Sequence, residues 1–215
     1  MPAAKVSQKV YWDSVAPVKT FTLEPDFALI EKFIGRESFV LDYGCGYGRT
    51  LDKFYRAGYK NTLGLDFSEG MIRRGKMLFP HLQLKKTGGR HTNLPGASVD
   101  MVLLFALLTC VVEDKEQQEL MTEFKRILKP GGLLYVKDFL LNEDERNQKR
   151  YLAFEEKYGI YGVFELPEGA VLRHYAEKHV KELMKGFRML YFETTRNKTM
   201  NGNYSKGFTL VAEKL

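Results

Sequence analysis

A chain of 215 residues with 44% apolar and 28% charged side chains is long enough to bury a substantial core and has the composition of a soluble globular protein. Its net charge of +6 is spread over short clusters at Arg73-Arg74-Lys76, Lys85-Lys86 and Arg146 to Arg150, none interleaved with aromatics. That pattern reads as a solvated surface and argues against a nucleic-acid groove. No apolar run approaches the ~20 residues that span a bilayer, and Met1 to Ser7 lacks the apolar centre of a secretory leader. Cys45 and Cys110 have neither metal-site nor disulfide spacing, so no metal and a cytoplasmic, reducing setting are expected.

The opening, through Tyr11 and Trp12, precedes the core fold as a cap segment over residues 1–23. Glu24 to Ile34 is predicted to be a helix, with Pro25 in its first turn, Phe27, Ile30, Phe33 and Ile34 on one face, and Gly35 as a stop. Phe39-Val40-Leu41-Asp42 is then a short strand running into Tyr43-Gly44-Cys45-Gly46-Tyr47-Gly48, and a helical pattern continues to Ala57-Gly58. A strand that turns into a helix over alternating glycines leaves bare backbone and unpaired N–H groups facing a ligand. Leu63-Gly64-Leu65-Asp66 is the next strand, ending in an acid about 20 residues past the loop, where ribose hydroxyls are bound in nucleotide-binding α/β units.

Ser68 is a predicted N-cap for a helix that Pro80 stops, and Leu82-Gln83-Leu84 is a short third strand. Val99 to Phe105 is almost unbroken apolar, as a parallel strand covered on both faces should be. Asp114 starts a helix with Gln117 placed for a capping box, and Leu120, Phe124, Ile127 and Leu128 form its buried stripe. Lys129-Pro130-Gly131-Gly132 breaks it before a fifth strand at Leu133 to Val136. Such alternation predicts an α/β fold with a doubly wound, mostly parallel sheet. Beyond Phe139 come a charged surface helix over Asn142 to Arg150, an aromatic lid and a helix over Ala176 to Met184. Two strands, Arg188 to Phe192 and Gly207 to Ala212, close the chain as a hairpin. One domain is expected, with a core at 36–139, a lid at 140–186 and a closing strand pair at 187–215.

The spacing of the glycine loop separates two readings. A dinucleotide fingerprint is G-x-G-x-x-G, whereas Asp42, Gly44, Gly46 and Gly48 fit D-x-G-x-G-x-G. That motif resembles the class I S-adenosylmethionine-dependent methyltransferases, and Gly64 to Met71, Leu94-Pro95 and Leu128 to Gly132 resemble later segments of the same family. The resemblance implies a Rossmann-like seven-stranded sheet ending in an antiparallel pair, with S-adenosylmethionine as cofactor and S-adenosylhomocysteine as product. It implies that Gly44, Cys45, Gly46 and Gly48 cradle the cofactor and that Asp42 reaches the methionine ammonium through water. It gives Asp66 both ribose hydroxyls, lets Phe67 and Met71 wall the adenine, and puts Phe105 at the same site. Read from its residues alone, Cys45 is a small filler of a tight turn.

Two departures stand out. Where many relatives have Asp-Ala before the Leu-Pro segment, this chain has Arg90-His91. Arginine cannot accept from the adenine amine, which leaves the His91 backbone N–H to meet the ring. The Leu-His-His-Val often found after the fourth strand is Leu108-Thr109-Cys110-Val111. No Asn/Asp-Pro-Pro-aromatic tetrad and no Pro-Cys pair follows that strand, which disfavours amide, adenine-N6 and cytosine-C5 chemistry. A small-molecule acceptor is favoured, methylated on O, N, S or C by in-line displacement, which mainly requires alignment and exclusion of water. Candidate acceptor contacts are Tyr11, Trp12, Leu108, Thr109, Tyr158, Tyr161 and Tyr175, with Asp138 and Glu165 as further polar groups and His174 as the candidate base. The rival readings are an RNA-modifying relative, a non-catalytic cofactor-binding partner subunit and a nicotinamide dehydrogenase.

Overall fold

The computed structural model describes residues 8–215, so the Met1 to Ser7 stretch lies outside the described residues. The chain opens with helices α1 (Gln8–Val15) and α2 (Phe27–Ile30). The alternating region then runs through β1 (Val40–Tyr43), α3 (Arg49–Arg56), β2 (Thr62–Asp66), α4 (Glu69–Leu78), β3 (Leu84–Lys86), β4 (Val99–Phe105), α5 (Asp114–Ile127) and β5 (Leu128–Phe139). It continues as α6 (Glu145–Tyr158), a two-stranded ribbon of β6 (Val163–Glu165) and β7 (Val171–Arg173), α7 (Glu177–Leu183), β8 (Phe187–Lys198) and β9 (Tyr204–Lys214). One sheet has the order β3-β2-β1-β4-β5-β9-β8, parallel through β5, with β9 antiparallel to both neighbours. Among the described residues no helix is long and apolar enough to cross a membrane.

Burial on both faces explains the apolar strands. Val40, Met101 and Leu103 face one core with Leu29, Ile30, Phe54 and Tyr59. Their alternating neighbours Leu41, Val102 and Leu104 face the other, with Phe124 and Ile127 of α5. From β1 the chain winds outward to β2 and β3, then returns to β4 on the other side. The order reverses between β1 and β4, and a crevice opens there beyond the carboxyl ends of the strands. The backbone marks that place: Ala106, directly after β4, has φ +51°.

Several predicted elements differ from those observed. The 24–34 helix shrinks to Phe27–Ile30, because Asp26, not the residue before Pro25, caps it by accepting from the Leu29 N–H at 3.1 Å. The third strand is displaced to Leu84–Lys86, where Gly64 and Asp66 of β2 provide the register. The Lys129 to Gly132 break lies inside β5 as a register irregularity opposite Val99 and Met101. The charged 142–150 stretch belongs to a longer helix that buries Asn147 and Tyr151. Helix α1 and the β6–β7 ribbon are elements that the sequence reading did not place.

No capping box forms on α5, since Glu113 makes no side-chain cap. Gln117 turns inward instead. Its Nε2 donates to the Tyr175 hydroxyl at 2.6 Å and to the Val111 carbonyl, and its Oε1 lies 2.9 Å from His179 Nε2. This fully buried amide ties α5 to α7 and to the turn after β4, because a buried polar group is costly to leave unpaired. Gln117→Ala is expected to destabilise the protein by about 1–3 kcal/mol in urea unfolding. A change below experimental error would show that the brace does not matter.

Candidate active site

The glycine loop follows from local sterics. Gly44, Gly46 and Gly48 have φ of +78°, +54° and +84°, a region that L-residues rarely enter. A Cβ on Gly44 would lie 2.6 Å from Leu107, and one on Gly46 would lie 2.5 Å from Phe21. Gly48 caps α3 on the far side of the loop, against Leu82 and Leu84, and so shapes the turn without lining the cavity. Phe21 stacks on Tyr47 with centroids 5.5 Å apart. Arg49 holds the same N-terminal segment by donating to Glu24 at 2.7 Å and to the Leu23 carbonyl.

Beneath this loop the ends of β1 and β2 carry two buried carboxylates. Asp66 accepts from the backbone N–H of Gly46 and of Ser68, both at 2.8 Å. Burial raises its carboxyl to about 6 against these favourable bonds. Asp42 makes no hydrogen bond among the described residues. Burial, followed by the charge of Asp66, pushes it up to about 7, with Arg49 opposing. Both line one cavity with Gly44, Cys45, Gly46, Phe67, Met71 and Phe105. The Cys45 thiol is held well above its ordinary value by burial, which suits a filler more than a nucleophile.

A family model described as a methyltransferase domain matches residues 40–132. A solved S-adenosylmethionine-dependent methyltransferase from Methanosarcina mazei is 26% identical, with a TM-score of 0.84, covering 90% of this chain and 99% of that one. Both matches support a class I S-adenosylmethionine-dependent methyltransferase. The ubiquinone/menaquinone biosynthesis C-methyltransferase of Campylobacter jejuni is 27% identical over 52% of this chain and 48% of its own length. The mouse eEF1A lysine and N-terminal methyltransferase is 27% identical over 48% of this chain and 16% of its own. The chain therefore spans about half the length, or less, of these curated relatives.

The cofactor of this methyltransferase family is S-adenosylmethionine, and the donor set fits it. A cradle that a Cβ would fill and an unpartnered carboxylate, Asp42, suit a ligand carrying a cation. The other two proposed cofactor contacts lie apart from the cavity lining. Arg90 extends to α5, paired with Glu119 at 2.6 Å and with Glu116, because those exposed acids offer it counter-charges. The His91 side chain is 86% exposed, with Nδ1 3.4 Å from Glu123. Among the described residues no group of three or more His, Cys, Asp or Glu is placed to hold a metal ion.

Of the ten candidate acceptor-site residues the cavity brings together Trp12, Thr109 and His174, and the other seven sit elsewhere. Tyr11 packs edge-on against Trp12 at 4.9 Å. Leu108 is buried in the core below, and the Tyr175 hydroxyl donates to the Leu108 carbonyl, which makes it a brace. Tyr158 donates to Glu165 at 2.5 Å, and Tyr161 is 41% exposed at the edge of Tyr151. Asp138 is buried against the N–H groups of Thr109 (3.2 Å) and Phe139 (2.8 Å). The walls that sequence reasoning missed are Arg146 and Arg150 of α6, Phe164 and Leu172 of the ribbon, and Met200 and Asn201 of the β8–β9 turn. A signal existed: Arg146 and Arg150 are four apart, next to the apolar Tyr151.

Asp42 titrates the stability of the protein. Between about 4 and 7 its folded carboxyl keeps a proton that the unfolded chain has released, so stability falls as pH rises through that window. Asp42→Asn is therefore expected to melt higher than the parent at pH 8, by of order 1–3 kcal/mol, with the gain shrinking toward pH 4. Equal melting at both pH values would show that Asp42 is not a desolvated charge.

Proposed function

We propose that this methyltransferase acts on a small-molecule acceptor, at O, N, S or C, by in-line displacement. The observation that carries the reading is that the glycine loop, Asp42 and Asp66 share a single cavity with Trp12, Thr109, Phe164 and Leu172. A reaction between two bound molecules needs such a continuous, water-poor space. Helix α6, the β6–β7 ribbon and the β8–β9 turn roof its acceptor side, which favours a compact acceptor over a flat macromolecular surface. The division into a cap at 1–23, a core at 36–139, a lid at 140–186 and a closing pair at 187–215 belongs to this reading. So does a cytoplasmic setting, with Cys45 and Cys110 as free thiols.

S-adenosylmethionine, when bound, supplies a methyl on a sulfonium with a neutral thioether as leaving group. In this reading the Gly44 to Gly46 backbone and Asp66 hold the nucleoside end, and Asp42 neutralises the ammonium. Phe67 and Met71 provide apolar contact for the adenine. Phe105, at the end of β4, lines the same cavity with Ala106 and Thr109 beyond it, and Trp12 and Phe164 exclude water from the acceptor.

The test is an acceptor screen with purified protein, S-adenosylmethionine and pools of small metabolites, read as S-adenosylhomocysteine formed. At least one pool should give turnover that Trp12→Ala reduces about tenfold or more in kcat/KM. Turnover confined to protein or RNA added to the same assay would overturn the small-molecule reading.

A further inference from the structure

The acceptor end of the cavity is electrostatically opposite to the cofactor end. Asp42 and Asp66, at the glycine loop, are the only acids among its described lining residues, and Arg146 and Arg150 of α6 line it as well. Arg49 also lines the cavity but is already paired with Glu24. Arg150 is not: its guanidinium lies 3.5 Å over the Phe164 ring, and no carboxylate stands within ion-pair distance among the described residues. The buried Arg173, by contrast, is paired with Asp114 and with the Val112 carbonyl. Among the described residues Arg146 has a single ion-pair partner, Asp144, at 3.8 Å. A half-buried cation without a counter-charge, facing a cavity, fits a ligand that brings the charge.

His174 faces the same space, and its hydrogen bonds fix its tautomer. The Tyr151 oxygen accepts from the Asn142 backbone N–H at 3.3 Å and lies 2.6 Å from His174 Nδ1. The Asn142 amide cannot be reversed, since its Oδ1 accepts from the Lys206 N–H at 2.6 Å and its Nδ2 donates to the Leu140 carbonyl at 2.7 Å. That same Nδ2 lies 3.5 Å from His174 Nδ1. The oriented Asn142 Nδ2 donor beside Nδ1 favours Nδ1 as the accepting nitrogen, so that a neutral ring carries its proton on Nε2. Burial, then the charges of Arg150 and Arg146, keep the ring neutral, with its value well below the ordinary one. His174 is thus arranged to donate a hydrogen bond, not to take a proton as the candidate base would.

We propose that Arg146, Arg150 and the Nε2–H of His174 form a subsite for an oxyanion, a carboxylate or a phosphate, carried by the methyl acceptor. The inference rests on the small-molecule reading and gives it a substrate class: an acid with an apolar body lying against Trp12, Phe164 and Leu172. Two cations and a neutral donor suit an oxyanion, and the apolar walls leave a bare inorganic anion with little else to hold.

The experiment is calorimetry on protein saturated with S-adenosylhomocysteine. The titrants are a series of aliphatic and aromatic carboxylates, the matching phosphate monoesters, and the neutral carboxamide of each acid. At least one acid or phosphate ester should bind tenfold or more tightly than its amide. Arg150→Gln, and independently the more exposed Arg146→Gln, should remove that preference while leaving S-adenosylhomocysteine affinity unchanged. Which series binds assigns carboxylate or phosphate. Imidazole ¹⁵N spectra should show His174 as the Nε2–H tautomer in the parent, and Tyr151→Phe should disturb it. Normal S-adenosylhomocysteine binding with no preference for any acid over its amide would overturn the subsite and leave the cofactor reading standing. Absence of S-adenosylhomocysteine binding would overturn both.

Discussion

The carboxylate of Asp66 is the joint on which the cofactor half of the molecule turns. Its oxygens accept from Gly46 in the loop after β1 and from Ser68 at the start of α4, so one side chain fixes two elements relative to the end of β2. Ser68 in turn caps α4 by accepting from Met71, and its hydroxyl donates to Asp13 of α1 at 2.7 Å. The cap helix, the glycine loop and the β2–α4 turn are thereby locked as one unit. Two acids at the ends of adjacent parallel strands are an unfavourable arrangement in a dry interior, and both are raised toward neutrality there. Such a site is least strained with a bound group that offers donors to one acid and a cation to the other.

The parts that the sequence made legible are those where local chemistry decides the structure. D-x-G-x-G-x-G can only be a bare turn, because each glycine has a positive φ and two of them have no room for a side chain. Val99 to Phe105 is a strand from its composition alone. The misreadings concern partners far away in the chain. Gln117 satisfies a helical capping pattern but is claimed by Tyr175, 58 positions later. Arg90, which sits where relatives place an acceptor for adenine, is drawn to Glu116 and Glu119. The aromatic residues after Phe139 could not be sorted by sequence, since packing and ligand contact demand the same residue types. Tyr175 is a brace, whereas Phe164 faces the cavity.

The same limit explains why the acceptor end was obscure. Arg146 to Arg150 reads as surface charge, and most of α6 is indeed exposed. Only the folding of α6 over the β6–β7 ribbon brings two of its cations into the cavity, beside a histidine whose Nδ1 is occupied by Tyr151 and Asn142. The family relation covers mainly the β1 to β5 region, with the methyltransferase domain matched at residues 40–132. In the proposed reading the acceptor is recognised largely by the segments outside it, and that is where relatives of one fold diverge in function.

In the proposed reading the crevice between β1 and β4 is built for S-adenosylmethionine, and calorimetry with S-adenosylhomocysteine against NADH is the decisive check. The parent should bind S-adenosylhomocysteine at micromolar concentration and leave NADH unbound, with Asp66→Ala losing about tenfold or more in affinity while remaining folded. Binding of NADH in preference, or an Asp66→Ala protein with undiminished affinity, would contradict the account.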